Sequence, residues 1–105
     1  MVFIETRIFT RLVSDYLTDE EYKDFQLYIA ENPEAGDIMQ RTGGLRKIRW
    51  KSKGKGKRGG IRIIYYFQTA ADQIYLLTLY GKNEVADLTS DECKSLRKLV
   101  EEWNA

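Results

Sequence analysis

The sequence predicts an α+β fold in two layers, with an antiparallel sheet of three to four strands. Three observations carry that expectation. Apolar residues recur at helical spacing between Ile8 and Ile29. Three β-rich runs, LRKIRW, IRIIYYF and IYLLTLY, follow between residues 45 and 80. Helical spacing then returns from Leu96 to Trp103. The order is two N-terminal helices, three strands and one C-terminal helix, which suits a helical layer on a sheet. At 105 residues the expectation is one domain, 1–105.

Each element has a local reason. Val2 to Glu5 reads as an edge strand or as the lead-in to a helix. Ile8, Leu12 and Tyr16 then form a stripe, with Phe9 and Val13 beside it. Thr18-Asp-Glu-Glu21 is a capping box, and its three acids suit the positive end of a helix dipole. Tyr22, Phe25, Tyr28 and Ile29 continue as the apolar face, and Asn32-Pro33 stops the helix. Gly43-Gly44 closes a connector. In the first strand Lys47 and Arg49 share one face, and Ile48 and Trp50 take the other. In the second, Ile61, Ile63, Tyr65 and Phe67 oppose Arg62, Ile64 and Tyr66. In the third, Tyr75, Leu77 and Leu79 are assigned to the core and Thr78 and Tyr80 to the opposite face. Ser90 is the expected cap of the last helix, whose stripe is Leu96, Leu99, Val100 and Trp103. On this reading the helices cover one sheet face, and the face carrying Lys47, Arg49, Arg62, Thr78 and Tyr80 stays open.

Composition narrows the function. The chain is 43% hydrophobic and 12% aromatic, which fits a folded protein. No apolar run approaches the ~20 residues that cross a bilayer, so no membrane partner is expected. Glu5 and Asp15 interrupt the N-terminal segment, which does not read as a secretory signal. One cysteine, Cys93, fits a reducing cytoplasm, and the absence of histidine argues against a zinc site. No cofactor and no metal are expected.

The formal net charge of +1 conceals a strong segregation. Residues 1–37 hold three basic and nine acidic side chains, residues 38–71 ten basic and no acidic ones, and residues 72–105 four basic and seven acidic. The central third therefore suits a polyanion. Its densest part is KSKGKGKRGG, residues 51–60, which has nothing apolar to bury. If that segment links two paired strands, Arg62 returns beside Lys47 and Arg49. The result is a cationic patch on a rigid floor, rimmed by lysines, with Tyr66 and Tyr80 as stacking surfaces. Cations for the backbone and aromatics for the bases are how single-stranded nucleic acid is held.

The run GGLRKIRW…KGKGKRGGIRIIYYF…IYLLTLYGKNE, with NPEAGDIMQRTGG upstream, resembles the RelE/HigB superfamily of toxins from bacterial type II toxin–antitoxin pairs. The similarity spans nearly the whole chain and is closest to the HigB-like branch with its long basic hairpin. It implies a RelE-like fold and a ribosome-dependent endoribonuclease, an mRNA interferase that enters the ribosomal A site, cleaves messenger and inhibits translation and growth. It also implies a HigA-like antitoxin with a helix-turn-helix domain, through which operator DNA is bound. Carried over residue by residue, the catalytic positions fall on Lys47, Arg49, Arg62 and Lys82. RNA and ribosome contacts are expected from Arg46, Lys51, Lys53, Lys55, Lys57, Arg58, Tyr66, Tyr80 and Asn83. The family's second basic position after Gly81 is Asn83 here, and its C-terminal tyrosine falls near Leu88–Thr89.

The implied reaction is attack of a ribose 2′-OH on the adjacent phosphate, giving a 2′,3′-cyclic phosphate and a 5′-OH. Arg62 and Arg49 are placed to stabilise the charge that builds up. Lys47 is the preferred proton acceptor, with Lys57 and Lys82 behind it, because arginine stays protonated. Two other functions use the same patch: a non-catalytic module that grips RNA or ribosome, and a structural protein that docks an acidic partner.

Overall fold

The computed structural model describes residues 1–51, 60–84 and 87–103. The elements run β1 (Val2–Glu5), α1 (Arg7–Tyr16), α2 (Asp19–Glu31), β2 (Asp37–Ile38), β3 (Arg46–Trp50), β4 (Ile61–Gln68), β5 (Gln73–Gly81) and α3 (Ser90–Trp103). They form an α+β fold around one five-stranded sheet of order β1-β5-β4-β3-β2. The sheet is mixed, because β1 pairs parallel with β5 while the other neighbours are antiparallel. Both edge strands are short. β1 confirms the strand reading of its segment, and the two-residue β2 has no clear signature in the sequence.

The helices do not share one face of the sheet, as the sequence suggested. α1 and α2 cover one side, where Phe9, Phe25 and Ile29 meet Ile61, Ile63, Tyr65, Ile74, Leu76 and Leu79. α3 lies on the other side, where Leu96 and Val100 meet Leu45, Ile64, Tyr75, Leu77 and Tyr80. The central strands therefore bury apolar side chains in both directions. That is why β5 reads as an almost unbroken apolar run rather than a strict alternation.

A bulge in β5 corrects the assignment of its faces. Tyr65 pairs with Leu76 and Ile64 pairs with Thr78, so Leu77 is the extra residue. Tyr75 and Leu77 consequently face α3, opposite to Leu79, while Tyr80 is returned to the face of Arg62 and Ile64. The carbonyl of Leu77 is satisfied by Thr6, whose hydroxyl donates to it at 2.8 Å. The same Thr6 oxygen accepts from the Phe9 amide at 3.0 Å and so caps α1. Thr6 is 92% buried (8% exposed). Thr6→Val keeps the shape and loses both bonds. It is expected to destabilise the protein by about 2 kcal/mol in urea denaturation, through a lost cap and an unpaired buried carbonyl.

Local signals set the other ends. The capping box of α2 forms as expected, with Thr18 Oγ1 accepting from the Glu21 amide at 3.1 Å and Glu21 Oε1 accepting from the Thr18 amide at 3.0 Å. In α3 the equivalent box is built by Thr89 and Glu92, one residue earlier than the expected Ser90. Gly43 has φ +72°, and the Arg97 guanidinium occupies the space a Cβ would need there. Arg97 Nη1 donates to the Thr42 carbonyl at 3.0 Å, tying α3 to the connector before β3.

Candidate nucleic-acid interface

Strand register decides where the cations go. Residues directly opposite in an antiparallel pair project to the same side. Lys47 lies opposite Ile64, and Ile64 lies opposite Thr78. Arg49 lies opposite Arg62, and Arg62 lies opposite Tyr80. Ile64 and Tyr80 belong to the α3-side core, so Lys47, Arg49, Arg62, Thr78 and Tyr80 all share that face. They occupy its end near the start of α3. Lys47 lies beside the Cys93 thiol, near the N-terminal end of that helix. The face is not open along its whole length, because α3 packs on it. At the cationic end Arg49 is exposed, and Lys47 and Arg62 are half-buried.

The three cations differ in what surrounds them. Lys47 Nζ is 3.3 Å from Asp87 Oδ1, and Asp37 is its strand partner across β2. These three residues share a cleft of about 410 Å3 with Met39, Gln40, Thr42, Leu88 and Cys93. Arg49 and Arg62 form no ion pair with any described residue. Arg62 makes a long hydrogen bond, 3.4 Å from Nη1 to the neighbouring Ile61 carbonyl. Two arginines in register, with Cβ atoms about 5 Å apart, repel each other and weaken the sheet. On its outer side Arg49 borders a second cleft, of about 370 Å3, with Glu21, Asp24, Trp50 and Lys51.

Tyr80 completes the Arg49–Arg62 row. It is 94% buried (6% exposed), so its ring is not a surface for stacking bases. Its hydroxyl is the one buried side-chain polar atom found without a hydrogen-bond partner among the described residues. Burial, and then Asp87, pushes this phenol up, and Arg62 pulls the other way. Burial also raises the Cys93 thiol, reinforced by Asp87 and Glu92, which makes it a poor nucleophile.

Other expected contacts are placed elsewhere. Arg46 projects to the α1–α2 side with Tyr65, and its Nη1 donates to the Gly36 and Glu34 carbonyls at 2.7 and 3.1 Å. It braces a loop and does not join the cluster. Tyr66 is on the cationic face but four residues along β4 from Arg62, roughly 13 Å away. It belongs to an aromatic row in which Tyr66 and Tyr75 are 6.3 Å apart and Tyr75 stacks on Trp103 at 4.2 Å. Lys51 is exposed just past β3. Lys82 and Asn83 are exposed in the turn after β5, where the Lys82 amide donates to the Gly60 carbonyl at 3.3 Å. That turn is held by Glu84, whose Oε1 accepts from the Gly81 amide and from the Tyr16 hydroxyl. Desolvation and this carboxylate push the Tyr16 phenol up to about 12. Lys53, Lys55, Lys57 and Arg58 lie outside the described residues.

Sequence reasoning did not find Asp87. It is 40 residues from Lys47, and only the fold brings them together. No group of His, Cys, Asp and Glu able to hold a metal occurs among the described residues, and no described helix is long and apolar enough to cross a membrane.

A family model described as the RelE toxin of the RelE/RelB toxin–antitoxin system matches residues 2–105. The chain belongs to the RelE toxin family. It is therefore a toxin of a toxin–antitoxin system. Two solved structures agree on the RelE fold. The Escherichia coli RelBE toxin–antitoxin complex matches with a TM-score of 0.56 and 14% identity, over 76% of this chain and 94% of that one. A double mutant of the Escherichia coli toxin RelE in the free state matches with a TM-score of 0.55 and 12% identity, over 90% of this chain and 94% of that one.

Proposed function

We propose that this RelE-family toxin is a ribosome-dependent endoribonuclease that cleaves messenger in the A site and thereby arrests translation and growth. The observation that carries the reading is Arg49 facing Arg62 with no carboxylate in ion-pair reach among the described residues. Such a pair costs the sheet stability, and an incoming polyanion relieves it. Family membership adds the reaction class, since RelE toxins in general are ribosome-dependent endoribonucleases.

In this reading the 2′-OH attacks the adjacent phosphorus and the bond to the 5′ oxygen breaks. The products are a 2′,3′-cyclic phosphate and a 5′-OH. Arg62 and Arg49 hold the non-bridging oxygens as charge accumulates. Lys47, paired with Asp87 until RNA arrives, joins them as a cation on the phosphate. Lys82, in the turn after β5, is the proposed acceptor of the 2′-OH proton, and the leaving 5′ oxygen takes a proton from water. The ribosome supplies orientation of the messenger. The basic segment at residues 51–60 supports assignment to the HigB-like branch, and its charge suits ribosomal RNA as a partner. A HigA-like antitoxin with a helix-turn-helix domain is the matching partner, and the pair acts in the cytoplasm.

The test is to induce the chain alone and map messenger 5′ ends with and without active translation. New ends inside translated frames, absent when initiation is blocked, are expected. Cuts on naked RNA would contradict dependence on the ribosome. Ribosome binding without any cuts would leave a module that only grips RNA. Binding to ribosomes should also weaken steeply with salt, because each phosphate contact releases counterions.

A further inference from the structure

The Tyr80 hydroxyl has no assigned role in this reading, and its position is costly. A buried polar group without a partner forfeits its hydration and receives nothing in exchange. The residue is not at a frayed end. It lies in β5 directly opposite Arg62, and the bulge at Leu77 is what turns it toward that face. Without the bulge, the alternation would carry Tyr80 into the α1–α2 core. The fold therefore places a donor beside Arg62 and leaves it unused.

Asp87 lines the cleft of Lys47, on the same face of the sheet as this donor. Its carboxylate holds Lys47 at 3.3 Å and accepts from its neighbour's amide, Leu88, at 2.9 Å. It acts electrostatically on the Tyr80 phenol. Its side chain is 62% exposed, so this pairing with Lys47 is weak and easily exchanged. A carboxylate on Lys47, one row along the same face from Arg62 and Tyr80, occupies a place that suits a phosphate.

We infer that the Tyr80 hydroxyl is a hydrogen-bond donor for the phosphate bound by Lys47 and Arg62, and that Asp87 is the internal anion which that phosphate displaces. The identity of the anion as an RNA phosphodiester rests on the nuclease reading. When the phosphate takes Lys47, the Asp87 side chain turns to solvent and a phosphate oxygen becomes the acceptor Tyr80 lacks. Tyr80 then works through its hydroxyl, as a neutral donor. Burial holds the phenol in its protonated form, so it donates and does not serve as the base.

The experiment compares the full chain with Tyr80→Phe, Asp87→Ala and the double variant. The probe is a short 2′-O-methyl RNA oligonucleotide, which has no free 2′-OH and cannot be cut. Tyr80→Phe is expected to weaken binding roughly tenfold, in both the native and the Asp87→Ala background, as loss of a bond to a charged acceptor does. Asp87→Ala is expected to tighten it several-fold. The salt slope of Tyr80→Phe should match the parent, since no charge is removed. Its thermal midpoint should be equal or higher, because an unpaired buried hydroxyl is gone. A purely structural hydroxyl would instead lower the midpoint and leave affinity alone. Unchanged affinity in Tyr80→Phe, or weaker binding in Asp87→Ala, overturns the inference. A ribosome cleavage assay of the parent keeps the two readings apart. If the parent cuts and Tyr80→Phe binds as tightly as the parent, this inference fails alone. If the parent does not cut, the nuclease reading fails, and the oligonucleotide series still decides this one.

Discussion

Arg62→Ala is expected to slow messenger cleavage on programmed ribosomes by about 10²–10³-fold, roughly 3 kcal/mol of barrier. Arg62 is central in the Arg49–Arg62–Tyr80 row and is half-buried, which restricts it more than the exposed Arg49. A donor fixed before the reaction starts needs no reorganisation as phosphorane charge develops. The same change should leave stability unaltered or slightly raised in urea, because it removes repulsion with Arg49 and breaks no ion pair with a described residue. The two measurements together are discriminating. A folded, ribosome-binding Arg62→Ala that cleaves at the parent rate would remove Arg62 from the reaction. Arg62→Lys should recover little, since one ammonium does not reproduce a planar, two-pronged donor.

The site was legible in the sequence to the extent that it depends on alternation. Lys47 and Arg49 are two apart, so a strand puts them on one side, and Arg62 joins them once β3 and β4 pair in register. The Thr18–Glu21 capping box was equally readable, being entirely local. What alternation does not encode is which face a separate helix chooses. Leu96, Leu99, Val100 and Trp103 announce an apolar stripe on α3 but not its target. Its target was signalled only indirectly, by apolar residues on both sides of β5. The bulge at Leu77 was hidden for a related reason. It depends on Thr6, 71 residues away, supplying a hydroxyl to the extra carbonyl. Arg46 shows a further limit. Its charge and its neighbours suggested RNA, whereas backbone carbonyls of the β2 connector hold it in place.

Phe25→Ala is expected to cost about 3–5 kcal/mol of unfolding free energy. That is a large share of the ~5–15 kcal/mol typical of such a fold, so the variant should be partly unfolded at moderate urea. Phe25 has no exposed surface and meets Trp50 edge-on, with ring centroids 5.1 Å apart at 80°. Trp50 in turn leans on Tyr28 at 5.4 Å. Truncation at Phe25 opens a cavity under the last residue of β3, which directly follows Arg49. The expected result is a fall in the urea midpoint and a lower cleavage rate as temperature rises, because the strand end carrying Arg49 loses its support. Phe25→Leu should recover most of the stability, since the lost term is volume and apolar contact. A Phe25→Ala loss below 1 kcal/mol would mean that α2 is not packed on β3 through these rings. In that case Arg49 would owe its position to the β4 pairing alone.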